Sequence, residues 1–394
     1  MDQIQSIRKS IVSSIRNTPR VKGYSTGKIL LGLATLLVVA AVLWWIYTWW
    51  RAGGRDLSEV PNMKRPFLNM WGVRHDGSEF LVNIVFITHP FTRDECIVQY
   101  NEAKGKGCHF LGLSSYSNYP GLVENEHDIL HDPNNKAWTD YDYFELTRGW
   151  LSCFREENNK KWIKEGHPLI NMTESEFANY ETHKPDPSVK KEYDFIYVCL
   201  KDGDRKPEDK DCPDGWQSTV REFKKAKKLM DIMCKKYKMH GLLIGRIGCE
   251  PPPNCHQLME LTDFMEYNTF IKQYNKCKFL FLPNRIEAAA RVQTESMCYN
   301  LPALVNKDIL GGWQFVNDKT GEFMDIDNLE EFEKTLDNFL NKLNNNKYSP
   351  REWFIQNHGK YNSGRRLKKF VQEVFKEDEL NFKWQEVDYL RPGI

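Results

Sequence analysis

Residues 278–305 read KFLFLPNRIEAAARVQTESMCYNLPALV. The apolar run 279–282 has the length of a buried strand, and Pro283-Asn284 ends it. Glu287 follows on a loop. Residues 292–299 form a short helical segment that carries Glu295, and Asn300, which tolerates positive φ, stops it. Residues 301–305 then read as the next buried strand. Strand, loop, helix, strand is the repeat of a parallel α/β sheet. In open sheets of that kind ligands bind beyond the carboxyl ends of the strands, so both glutamates are expected at the ligand crevice.

Working outward, Gly311-Gly312 and Thr320-Gly321-Glu322-Phe323-Met324 follow. Asp327, with Glu330 placed for a capping box, starts an amphipathic helix with Leu329, Phe332, Leu336, Phe339, Leu340 and Leu343 as its buried stripe. Upstream, 193–200 is a strand. Residues 218–237 are a helix with Val220, Phe223, Ala226, Met230 and Met233 on one face. Residues 241–244 form a strand ending in Gly245-Arg246, and 267–274 are a short helix. A second α/β pattern precedes these: strand 80–88, helix 93–104, a turn and strand over 105–113, an aromatic and partly helical stretch at 138–154, and strand 168–172, with Thr173 or Ser175 capping the next segment. Pro185 and Pro187 mark 182–190 as a linker.

The core stretch resembles the C-terminal half of a GT-B nucleotide-sugar glycosyltransferase of the family 4 type. Glu287 and Glu295 stand at that family's spacing, before Ser296-Met297-Cys298-Tyr299-Asn300 and the Pro302 strand. Gly311-Gly312 match the family's glycine pair, and Thr320-Gly321-Glu322-Phe323-Met324 its turn into an apolar strand. The resemblance covers roughly 193–343 well and the earlier half loosely. It implies an α/β fold of two Rossmann-like domains and a retaining transfer of a sugar from a nucleotide diphosphate to a glycan or glycoprotein acceptor, with no cofactor and no metal. It assigns the ribose diol to Glu295 and the donor sugar to Glu287. Arg291, Gly311 and Gly312 are expected at the diphosphate, and Gly245 with Arg246 where the family meets the nucleobase. The family's Arg-and-Lys phosphate grip is matched by Lys201 in position, while Asp214-Gly215 stands in place of the expected Lys-Gly. Arg205, Lys206 and Lys210 are further substitutes. His89 and His109 are the acceptor-side candidates. The compact build is similar to that of transferases of large algal DNA viruses.

The formal net charge of +1 argues against a nucleic-acid binder. Residues 29–50 contain no charge and, as a helix, span about 33 Å, enough for a bilayer core. Trp44, Trp45, Tyr47, Trp49 and Trp50 crowd one end, as an interfacial belt does. Arg8, Lys9, Arg16, Arg20, Lys22 and Lys28 against Asp2 favour a cytoplasmic N-terminus. Ile4, Ile7, Ile11 and Ile15 recur at helical spacing there, so the segment is either a basic amphipathic helix on lipid or a solvated tail. The organisation expected is a basic tail (1–28), a transmembrane anchor (29–50), a stem (51–78), an acceptor-side domain (79–190), a nucleotide-sugar domain (191–350) and a returning helix with a tail (351–394). The expected location is an endomembrane or other host membrane, single-pass.

Other motifs weigh less. His127 and His131 have metal-ligand spacing without a partner motif, and Cys249, Cys255 and His256 lack a second pair for zinc. Cys249 and Cys255 suit a disulfide in an oxidising compartment. Asp140-Tyr141-Asp142, Asp202-Gly203-Asp204 and Asp325-Ile326-Asp327 imitate the Asp-x-Asp motif of metal-dependent transferases, and Asn171-Met172-Thr173 is a glycosylation sequon. Two rival readings stand: an inverting GT-B enzyme of exostosin or fucosyltransferase type, which Arg291, Glu295 and Pro302 also satisfy, and a catalytically inactive sugar-binding protein of the same fold. Glu287 separates the first rival from the family 4 reading, since only the latter needs it.

Overall fold

A computed structural model describes residue 44 and residues 60–91, 93–115, 119–120, 141–202 and 215–393. All the elements below belong to the unit that spans residues 57–394. Its first half holds β1 (Phe67–Arg74), β2 (Glu79–Ile87), α1 (Asp94–Gly105), β3 (His109–Leu113), α2 (Tyr143–Leu146), β4 (Trp150–Ser152), α3 (Glu156–Trp162) and β5 (Leu169–Asn171). The second half holds β6 (Tyr193–Val198), α4 (Trp216–Val220), α5 (Phe223–Tyr237), β7 (Gly241–Ile244), β8 (Met259–Thr262), α6 (Tyr267–Gln273), β9 (Cys277–Leu282), α7 (Arg291–Cys298), β10 (Ala303–Asn306), β11 (Gly321–Met324) and α8 (Leu329–Asn344). The chain then returns through α9 (Pro350–Asn357) and α10 (Gly359–Val374) to β12 (Val387–Pro392).

These strands make two sheets. The second is parallel throughout, in the order β11-β10-β9-β6-β7-β8. Its strand order changes direction between β6 and β9, which is the topological switch point of a Rossmann sheet. Its strands are covered on both faces: one core gathers Phe195, Met230, Phe279 and Phe339, the other Ile196, Leu242, Leu280 and Val305. Continuous apolar runs follow from that double burial. The first sheet, β12-β1-β2-β3-β4-β5, is parallel from β2 to β5, with β1 antiparallel to both neighbours. α10 lays Leu367, Phe370 and Val371 against it, so the last long helix does cross back to the first sheet.

Several expectations change. Residues 67–74, read as part of a stem, are the strand β1, and the expected exposed tail includes β12, which pairs with it. The stretch 138–154 contains a strand, β4, as well as the helix α2. The helix expected over 218–237 is broken at Glu222, which takes a left-handed φ of 52° and starts α5 anew. Asp327 does not cap α8. Asn328 does, accepting from the Glu331 amide at 3.2 Å, while Asp327 pairs with Lys225 at 2.6 Å and Arg285 at 3.0 Å. Leu329 is exposed rather than part of the stripe. Cys255 bonds Cys234 on α5, not Cys249, which is itself disulfide-bonded. The sequon begins in β5, with Thr173 buried.

No helix among the described residues is long and apolar enough to cross a membrane. The expected span 29–50 lies outside them except for Trp44, and the tail 1–28, His127, His131, Arg205, Lys206 and Lys210 lie outside them altogether.

Candidate functional site

The carboxyl ends of β9 and of β2 to β5 meet across a cleft. β9 runs into the loop that carries Glu287, and that loop is clamped: Leu310 donates to the Arg285 carbonyl at 2.9 Å and Gly311 to the Glu287 carbonyl at 2.6 Å. Gly311 has to be glycine, because a Cβ there would lie 2.0 Å from the Ala288 carbonyl oxygen. Gly312, at φ +85°, stands against Ala290 and Gln293. The loop ends at Ala290 in a left-handed conformation (φ 41°), unusual for a residue with a Cβ. α7 starts there with no side-chain cap, so its first amides and its dipole make an anion site.

Arg291 and Glu295, both expected at the site, line a cavity of about 310 Å³ together with Thr294, Tyr267, His183 and, from the first half of the chain, Glu174 and Phe177. Glu295 is 6% exposed and accepts from the Tyr267 hydroxyl at 2.9 Å. Burial pushes its carboxyl pKa up, against the Tyr267 hydrogen bond and the Arg291 charge. Glu287, on the loop before α7, is not among the residues that line the cavity, and it accepts from the Asn284 amide at 3.0 Å. It reaches the end of β4, where its charge acts on the buried thiol of Cys153. Cys153, Phe154, Ala288 and Leu310 pack together there, and the Trp313 indole donates to the Cys153 carbonyl at 3.1 Å.

The other expected residues sit elsewhere. Lys201, at the end of β6, is exposed and pairs with Asp263 at 3.2 Å. Arg246 is fully buried, donates to the Cys199 carbonyl at 3.1 Å and lies over the Phe223 ring, so it joins β6 to β7. Gly245, at φ +96°, lets that joint close, since a Cβ would lie 2.7 Å from the Cys199 oxygen. His109 opens β3 at the edge opposite the cleft, with Nε2 3.1 Å from the Glu379 carbonyl and its ring against Phe375. Strand polarity, invisible in a short motif, sets it at the end of the sheet away from the cleft. His89 follows β2 at the correct edge. Burial, aided by Arg65 and Arg93, pulls its pKa down to about 4 and keeps it neutral.

Two acids after β5 carry no motif, and the first of them lines the cavity. Glu174 and Glu176 lie in the 3-10 turn 174–177 after β5, which Thr173 caps. Glu176 is wholly buried and accepts from Arg366 at 2.8 Å, His358 at 3.1 Å, Ser363 at 3.2 Å and Gln314 at 3.0 Å. Their one sequence signal is an acid just past the carboxyl end of a first-sheet strand.

No protein-family model matches the chain, and no curated protein matches it in sequence. Solved structures match its fold. The glycosyltransferase from Rickettsia africae ESF-5 is 13% identical over 74% of this chain and 77% of that one, with a TM-score of 0.50. Anabaena Alr3699/HepE, in complex with UDP and glucose, is 9% identical over 71% and 75%, also with a TM-score of 0.50. The chain has a GT-B fold. Staphylococcus aureus TarM, as a point mutant in complex with fondaparinux, alpha-GlcNAc-glycerol and UDP, is 10% identical over 68% of this chain with a TM-score of 0.47, and the match spans 51% of that chain, about half its length.

The raised pKa of Glu295 has a testable sign. Below the unfolded carboxylate range both states carry the proton. As pH rises the unfolded chain ionises first, so the native state loses relative stability through the folded pKa. Glu295→Gln removes that loss. Its urea midpoint is expected to exceed the wild type's near pH 8, with the difference shrinking below about pH 4. An equal or lower midpoint near pH 8 contradicts this reading of the site.

Proposed function

We propose that the protein is a glycosyltransferase that moves a sugar from a nucleotide diphosphate donor to a glycan or glycoprotein acceptor. The observation that carries the proposal is the GT-B cleft, in which a cation, Arg291, at the amino end of α7 and a buried carboxylate, Glu295, one turn further on, stand beside the switch point of a Rossmann sheet. A ribose diol needs a desolvated acceptor, which Glu295 supplies. A diphosphate needs a guanidinium and free helix amides, which Arg291 and α7 supply. Glu287, on the loop before α7, reaches the transferred sugar. Its spacing to Glu295 supports a family 4 type of enzyme that retains the anomeric configuration. HepE, with bound UDP and glucose, supports a uridine donor as the first to test.

The apolar sequence 29–50 and the basic residues before it support a single-pass anchor with a cytoplasmic N-terminus. The Cys234–Cys255 disulfide and the bonded Cys249 support a catalytic part on the oxidising side of that membrane.

The leaving diphosphate is stabilised by protein cations and the helix dipole, with no metal in the reaction. Incubation with UDP-, GDP- and ADP-sugars is expected to release nucleoside diphosphate from one class of donor, and EDTA is expected to leave the rate within about twofold. Loss of activity in EDTA with recovery on adding manganese contradicts the metal-free mechanism. Release from no donor contradicts the function.

A further inference from the structure

The cleft holds an acid that the proposed donor contacts leave unused. Glu174 projects into the cavity from the turn after β5. It is hydrogen-bonded to Ser115 at the end of β3, and it feels Arg291 across the cleft and the exposed Arg65 before β1. Burial raises its pKa. Glu287, on the loop after β9, lies near enough that it and Glu174 both raise the pKa of the buried Cys153 thiol, behind the lining of the cavity. With a nucleotide sugar bound, Arg291 and the α7 amides are taken by the diphosphate. A sugar lying past Arg291 toward the first sheet then meets the Glu174 carboxylate. Carboxylates accept hydrogen bonds from hydroxyl groups and repel another carboxylate in a poorly solvated site.

We propose that Glu174 makes this site selective for donors whose sugar is neutral and polyhydroxylated, and against donors whose sugar is a uronate. The inference rests on the glycosyltransferase reading and narrows its substrate class. Other ionisable groups also face the cavity. His183, Tyr267 and Glu295 do so from the linker, α6 and α7, and Lys360 and Arg391 stand at its rim, paired with Glu181 and Glu79. None of them changes in a Glu174 variant.

Matched donors that differ only at C6 test the proposal: UDP-glucose against UDP-glucuronate, and GDP-mannose against GDP-mannuronate. Release of diphosphate by the full-length protein at about pH 8 gives kcat/KM for each. The wild type is expected to prefer the neutral member of its pair by roughly 100-fold, as a like-charge contact in a desolvated site implies. Glu174→Gln keeps the shape and is expected to cut the preference below about tenfold. A side chain that merely supported the turn would lower both donors together and leave the ratio alone. Equal use of both members by the wild type, or an unchanged ratio in Glu174→Gln, overturns the proposal while the glycosyltransferase reading stands. Release from no UDP-, GDP- or ADP-sugar overturns both.

Discussion

Replacing Glu176 by alanine is expected to remove about 3 kcal/mol of folding stability, the low end of the range for breaking a buried ion pair. The carboxylate collects four donors from three parts of the chain: Arg366 and Ser363 on α10, His358 between α9 and α10, and Gln314 after β10. It is therefore the polar joint where the returning helices, the first sheet and the second sheet meet. The low end applies because the Arg366 side chain is 41% exposed and regains water when its partner is lost. Glu176→Gln keeps one acceptor oxygen and is expected to lose less. Urea unfolding reads both variants, with a lower midpoint and an unchanged slope. A midpoint within error of the wild type for Glu176→Ala would show that the joint carries no net stability.

The second large effect is catalytic. Glu287→Gln is expected to lower turnover by about 100-fold while binding of the free nucleoside diphosphate stays nearly intact, because a charged acceptor to the transferred sugar is worth roughly 1.5–3 kcal/mol. Glu287 stands on the loop held by Gly311, apart from Arg291 and Glu295, which line the cavity. Full turnover in Glu287→Gln would remove the family 4 type of mechanism and favour the inverting alternative.

The second sheet was legible because its strands are buried on both faces. Residues 279–282 and 241–244 are unbroken apolar runs, and each became a strand. Asn300 does take positive φ (61°) after α7. Edge pairing was not legible. β1 and β12 join residues about 320 positions apart, and neither segment has the apolar continuity of a central strand. Local chemistry also lost to tertiary partners. Asp327 and Asn328 are both good caps, and Lys225 with Arg285 drew the aspartate away. Cys255 found Cys234 because α5 packs against the 253–255 turn, a contact that spacing along the chain does not reveal. Glu295 and Arg291, which line the cavity, stand in a motif. Glu174 and Glu176 do not, since Thr-Glu-Ser-Glu-Phe reads as a solvated turn until the two sheets close over it.

The central claim is that a nucleoside diphosphate binds at the amino end of α7 with its ribose on Glu295. Calorimetric titration of UDP, GDP and ADP into the full-length wild type and into Glu295→Ala tests it directly. One diphosphate is expected to bind the wild type, and Glu295→Ala is expected to weaken it by about 10-fold or more, as loss of a buried acceptor worth roughly 1–3 kcal/mol implies. Binding of none of the three by the wild type, or equal affinity in Glu295→Ala, would contradict it.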